Sequence, residues 1–153
     1  MRKISLFVLV LFASILLVGC GSKGEPKILT CTLDRNITSE AKLSSVYKVS
    51  YTDRYVNSIQ TIETITSDSD SMLSTYKEQF DKVYANYRKI KGYNNSIRKE
   101  DNKLISTTDI DYQTINMDEL IEIDSSIASF LEDGKLKVSD IKTAYEASGA
   151  TCK

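Results

Sequence analysis

Apolar and polar positions alternate with a readable period over most of the chain, and that pattern marks its elements. Lys27 to Asp34 (KILTCTLD) is short, apolar and rich in β-formers, which predicts a first strand with Cys31 in its middle. A polar turn over Arg35 to Lys42 follows. In Val46 to Thr66, Tyr47, Val49 and Tyr51 alternate with polar residues, a turn falls near Thr52 to Arg54, and Tyr55 to Thr66 returns as the second arm of a hairpin. Ile59, Ile62 and Ile65 recur every three residues, which pulls that arm toward a helical period. Its threonines and the hairpin context favour a strand.

From Met72 to Lys91 the period changes. Met72, Leu73, Tyr76, Phe80, Val83, Tyr84, Tyr87 and Ile90 fall three or four apart and form the stripe of a long amphipathic helix, with Gly92 as its C-terminal cap. Ser67-Asp68-Ser69-Asp70-Ser71 supplies N-caps and negative charge for the positive end of that helix. Ser96 to Asp101 and Lys103 to Asn116 read as a second hairpin turning at Asp101-Asn102, with Leu104, Thr108, Ile110 and Tyr112 on one side of the returning arm. Met117 to Leu131 suits a short helix or two helical turns ending near Asp133-Gly134. Ser139 is predicted to cap a last helix, Asp140 to Ser148, ended by Gly149, with Ala150 to Lys153 as a tail. The order implies a two-layer α+β domain: a largely antiparallel sheet of about five strands, with one long helix and short C-terminal helices on one face.

Ahead of this body, Arg2 and Lys3 precede an apolar run from Ile4 to Val18, about 15 residues against the roughly 20 that a spanning helix needs. The run ends in Leu17-Val18-Gly19-Cys20, which resembles the lipobox of bacterial lipoprotein precursors. A thiol is readily alkylated by a lipid donor, and a small residue before it admits a peptidase. The resemblance implies cleavage between Gly19 and Cys20, diacylglycerol on Cys20, and a lipid-anchored protein on the extracytoplasmic face of a bacterial membrane. Two acyl chains hold stably where one is reversible. Three segments follow: residues 1–19 as signal peptide, 20–27 as lipidated cysteine and flexible tether (GSKGEPK holds the only proline), and 28–153 as one folded domain.

Composition narrows the chemistry. Of 20 basic residues two lie in the leader, which leaves 18 against 21 acidic, a balance unlike that of a nucleic-acid binder. The chain has no histidine, which removes the common zinc sites and the usual general base, and its six glycines include no phosphate-cradling loop. No catalytic residue, metal site or cofactor is expected. The serine-aspartate run lacks the glycine and distal glutamate of a calcium loop, so it reads as a cap. Asp109 and Asp111 read as solvated carboxylates on the outer side of their strand. Lys82, Arg88, Lys89, Lys91, Arg98, Lys99 and Lys103 form a locally basic segment, either a solvated face or a contact with anionic envelope polymers or head groups.

Taken together, the early strand and hairpin (YKVSYTDRYVNSIQTIET), the tyrosine-bearing helix (MLSTYKEQFDKVYANYRKIKG), the segment DYQTINMDEL and the closing helix (VSDIKTAYEASG) resemble the YehR-like family of small bacterial lipoproteins. That likeness implies an α+β fold and an envelope location. The family is one of unknown function and supplies no active residues. Cys31 and Cys152 are not part of its pattern. With Cys20 lipidated these two remain, and an oxidising compartment allows a disulfide between them, the alternative being a buried thiol and an idle one. The expected function is a non-catalytic binding or interaction module, partnered by the bilayer and by an envelope polymer or protein. The competing expectation is an envelope hydrolase that runs on a carboxylate pair without histidine or metal.

Overall fold

A computed structural model describes residues 24–153, so the leader, Gly19 and Cys20 lie outside the described residues. Three long strands come first, β1 (Lys27–Asn36), β2 (Lys42–Thr52) and β3 (Tyr55–Thr66), followed by helix α1 (Asp70–Tyr84). The hairpin β4 (Tyr93–Glu100) and β5 (Lys103–Asp111) leads to α2 (Met117–Ile123) and a 3-10 segment, Ser125–Phe130. A small ribbon, β6 (Leu131–Glu132) and β7 (Lys135–Leu136), precedes α3 (Val138–Ala147) and β8 (Thr151–Cys152). Six strands make one sheet in the order β4-β5-β3-β2-β1-β8, every neighbouring pair antiparallel. This is the α+β architecture that the patterning predicts. Among the described residues no helix is long and apolar enough to cross a membrane.

One face of the sheet carries the helices. Met72, Leu73, Tyr76 and Phe80 of α1 pack on Ala41, Leu43, Ile65, Ile97 and Leu104. Ile141 and Tyr145 of α3 pack on Val49 and Ile59, together with Ile127, Phe130 and Leu136. Leu120 of α2 closes over Ile90 and Tyr93. The hairpins turn tightly because Asp53, Asp101 and Asp133 adopt positive φ at 56°, 48° and 52°, a conformation that aspartate tolerates better than most residues.

Several boundaries differ from the sequence expectation. The sheet has six strands rather than about five, because the C-terminal tail is a strand. Thr30 and Lys153 exchange backbone hydrogen bonds at 3.0 and 2.9 Å, so the tail takes up the free edge of β1. A segment of two residues carries no period, and its partner lies more than 100 residues away, so local pattern is silent on it. Strand β2 begins at Lys42 rather than Val46, β4 at Tyr93 rather than Ser96, and β5 ends at Asp111 rather than Asn116.

The long helix stops at Tyr84 instead of Lys91. A 3-10 turn over Tyr87–Lys89 follows, with Lys89 donating to the Asn86 carbonyl and Ile90 to that of Tyr87. Spacings of 3.0 and 3.6 residues per turn coincide over a single turn, so the apolar stripe runs on through the change of helix type. Gly92, at φ +89°, then turns the chain into β4. Val83 is exposed (58%) although it belongs to the stripe. Adjacent helical residues point about 100° apart, and Tyr84 takes the inward direction. The last helix begins at Val138 with Lys137 in the cap position, so Ser139 lies inside the first turn and its hydroxyl donates to Asp140. The earlier start follows from the bond that Val138 N–H donates to the Arg54 carbonyl at the tip of the β2–β3 hairpin.

Candidate functional site

Strand register lays the helix-covered face out in rows running across the sheet. Leu43, Ile65 and Leu104 form one apolar row, and Leu29, Val49, Ile59, Ile110 and Tyr93 form another. Between them lie two polar rows. Ser45, Glu63 and Ser106 stand side by side on β2, β3 and β5, and next to them Tyr47, Thr61, Thr108 and Asn95 continue the band to β4. A sheet face covered by helices is normally its most apolar surface, so two adjacent polar rows in that position require an explanation.

Glu63 is the centre of the band. Its parity with the buried Ile59 and Ile65 turns it toward the helices, and its Oε2 accepts a hydrogen bond from the Tyr84 hydroxyl at 2.9 Å. It is partly exposed, and no cation pairs with it among the described residues. Ser45, directly opposite on β2, is fully buried and its Oγ has no hydrogen-bond partner among the described residues. On the other side Asn95 Nδ2 donates to Ser106 Oγ at 3.1 Å and to Thr108 Oγ1 at 2.9 Å, so that flank is internally satisfied. Tyr145 of α3 stacks on Tyr47 with ring centroids 4.2 Å apart. Burial is the main cause that pushes Tyr93 and Tyr145 each up to about 12 and Tyr84 well above the usual phenol range. The negative charge of Glu63 adds to all three shifts. One carboxylate thus contributes, after burial, to the shifts of three tyrosines from three different elements.

The residues singled out from sequence sit elsewhere. Asp109 and Asp111 lie on the opposite, open face. Gln60 donates to Asp109 at 2.8 Å, and Asp111 receives the Gln113 N–H and the Thr114 hydroxyl, so both serve local structure. Ser69 caps α1 by accepting from Met72 N–H, as the serine run implies. Three members of the basic segment are paired: Arg88 with Asp81, Arg98 with Glu100, and Lys99 with Asp70. Among the described residues no group of three or more acidic or thiol side chains is placed to hold a metal ion. Cys31 and Cys152 face each other on β1 and β8 and are joined as a disulfide, with α-carbons 4.0 Å apart.

Glu63 escaped sequence reading because the three-residue spacing of its neighbouring isoleucines obscured the inward parity of β3. The signal was present all the same. Counting in twos from Ile59 or Ile65 places Thr61 and Glu63 on the buried side and Ile62 on the open one.

An open antiparallel six-stranded sheet with helices on one side is the class that this fold defines, and solved structures share it. The chain is similar to the NMR structure of a protein from Streptococcus pneumoniae TIGR4, with TM-score 0.58 and 17% identity over 100% of this chain and 97% of that one. It is also similar to the NMR structure of the Escherichia coli YehR protein, with TM-score 0.56 and 16% identity over 82% of this chain and 91% of that one. At such identities the likeness speaks for the fold. A family model described as a domain of unknown function, DUF8824, matches residues 101–153, from the β4–β5 turn to the C-terminus. No curated protein sequence matches the chain.

Proposed function

We propose that this protein is a lipid-anchored lipoprotein of the bacterial envelope, held through Cys20 on the extracytoplasmic side, that binds a small ligand at the polar band without transforming it. The observation that carries the binding reading is a partly exposed Glu63 without a cation beside a buried Ser45 Oγ without a partner, both among the described residues, beneath helices that elsewhere cover apolar rows. Buried polar groups left without partners cost free energy, and a site kept for a ligand accounts for that cost. The hydrolase alternative calls for two convergent carboxylates. In the covered rows Glu63 stands as a single carboxylate, flanked by hydroxyls and an amide, which favours holding over bond cleavage. The anchor reading rests on the lipobox and on the general likeness to the YehR layout.

The start of β1 supports one orientation of the anchored body. Lys27 pairs with Tyr51 beside the β2–β3 turn, so the chain enters β1 at the same end of the sheet as Gly92, with Lys89 and Lys91 close by in sequence. Lys103, at the far end of β5, pairs with Thr66 instead. We assign contact with anionic head groups to Lys89 and Lys91 rather than to the whole basic segment.

Two measurements test the proposal. Wild-type protein should incorporate a palmitate analogue in bacterial cells and Cys20→Ala should not, and label retained by the variant would remove the anchor. Tyrosine-ring NMR signals should move during a screen of small molecules of mixed charge, each recovered intact. A screen that leaves the Tyr84, Tyr93 and Tyr145 rings unmoved would remove the binding site.

A further inference from the structure

Building on the binding reading above, we infer that the polar band takes an organic cation, a primary or quaternary ammonium group seated against Glu63 and the tyrosine rings around it.

A carboxylate drawn partly out of water loses solvation, which an opposite charge or several strong donors must replace. Among the described residues Glu63 has one side-chain donor, the Tyr84 hydroxyl on Oε2, and no cation. The other candidate neighbours, Ser45, Ser106, Thr61 and Thr108, are neutral hydroxyls. A divalent metal ion suits this set poorly, since calcium takes six to eight oxygens and usually several carboxylates, whereas the rows supply one. A primary ammonium needs a single counter-charge plus acceptors, and hydroxyl oxygens accept; a quaternary one has no N–H to donate and needs the counter-charge with ring faces to pack on. Ser45 Oγ, buried and without a partner, is an acceptor that nothing else in the fold uses.

Aromatic surface decides between a bare inorganic cation and an organic one. Tyr84 reaches Glu63 from α1, and Tyr145 arrives from α3, stacked on Tyr47 in the row next to Glu63. Tyr87 stacks on Tyr93 at 5.2 Å, and Tyr84 meets Tyr87 edge-on at 6.5 Å, so the ring system is continuous toward β4. Ring faces attract desolvated cations, most of all alkylammonium groups whose methyl or methylene shell also packs on them. A single carboxylate among tyrosines from two helices and two strands is the donor set that such a ligand selects.

The ammonium could belong to a free amine or to a lipid head group, and the experiment separates the two. Mature lipidated protein in a maltoside micelle, with ring-labelled tyrosine, is titrated with choline, 1,4-diaminobutane, neutral 1,4-butanediol and acetate. A parallel set of micelles is doped with phosphatidylethanolamine or phosphatidylglycerol. Choline or 1,4-diaminobutane should shift the Tyr84 and Tyr145 rings, and Glu63→Gln, which keeps an acceptor for Tyr84 while removing the charge, should weaken binding about ten-fold or more. Asp109→Asn on the open face makes the same charge change and should bind as the wild type does. Shifts with phosphatidylethanolamine alone would assign the site to the head group and uphold the cation. Shifts with butanediol or acetate but not with the cations would overturn the cation while leaving the binding site standing. Equal cation binding by Glu63→Gln would overturn the role of Glu63, and silence of every probe would overturn both this inference and the reading on which it rests. Unfolding curves of both variants show whether a lost shift reflects lost structure.

Discussion

Replacing Cys152 by alanine isolates the cross-link, because Cys31, fully buried against Leu33 and Ala150, keeps its thiol and its packing. The bond joins positions 121 residues apart. For a loop of that length the chain-entropy relation gives about 16 cal/mol/K, or about 4.9 kcal/mol at 25 °C, removed from the unfolded ensemble. Residual structure in the unfolded chain lowers such values, and about 2 kcal/mol is a reasonable floor. With an unfolding entropy of about 2.1 cal/mol/K per residue, a domain of this size shifts by about 3.7 °C for each kcal/mol, so Cys152→Ala should lower Tm by about 7 to 18 °C. Thermal unfolding followed by far-UV circular dichroism reads the shift. Urea unfolding should show a lower midpoint and a steeper slope, because the unbridged chain exposes more surface. The double variant Cys31→Ala, Cys152→Ala should fall at least as far, since it also strips sulfur from a filled cluster. A fall in Tm of less than about 3 °C, with Cys31 titrating as a free thiol, would refute the reasoning that the bridge restrains the unfolded chain.

Other outcomes follow from the same geometry. Ser45→Ala removes a buried oxygen without a partner and should raise stability by about 1 kcal/mol in the ligand-free protein, while a measurable loss by chemical unfolding would mean that the hydroxyl is paired. Tyr93 and Tyr145 ionise higher in the folded protein than in the unfolded chain, so their contribution is complete below pH 10 and is lost as pH rises from about 10 toward 12; ultraviolet phenolate absorbance should rise together with unfolding there, and full ionisation near pH 10 without unfolding would contradict their burial. Lys89→Glu with Lys91→Glu should weaken binding of the protein to anionic vesicles at low salt, whereas Lys103→Glu, about 30 Å away along the strands and beyond a Debye length, should leave it unchanged; equal effects at both ends would remove the assigned orientation.

Much of the fold was legible in the sequence because its elements are long and periodic. The β2–β3 hairpin and α1 each repeat their pattern several times, and the serine run before α1 caps as its chemistry implies. What escaped were features set by distant partners. Thr151 and Cys152 form a strand because β1 leaves an edge free, and Gly92 turns because β4 must return beside β5. Of the candidate site, the aromatic stripe was visible, yet its tyrosine hydroxyls matter as much as its rings. Tyr84 reads as core from its spacing and only the opposing Glu63 gives it a second role. A polar band is assembled from residues on four strands, each ordinary within its own segment.

The disulfide also determines how the body carries mechanical load. Tension applied to the chain ahead of β1 enters at Lys27, the first residue of that strand, and pulls it away from β2 one rung at a time, the direction in which a sheet is weakest. Only Lys27 to Thr30 can be stripped in this way before the pull reaches Cys31. There the force divides: one path continues along β1, and the other crosses the covalent bond to Cys152 and passes into α3, which is packed on the opposite layer. Peeling becomes a load shared between sheet and helix, and the covalently closed chain beyond Cys31 cannot be drawn out to full length by a pull on the segment ahead of β1.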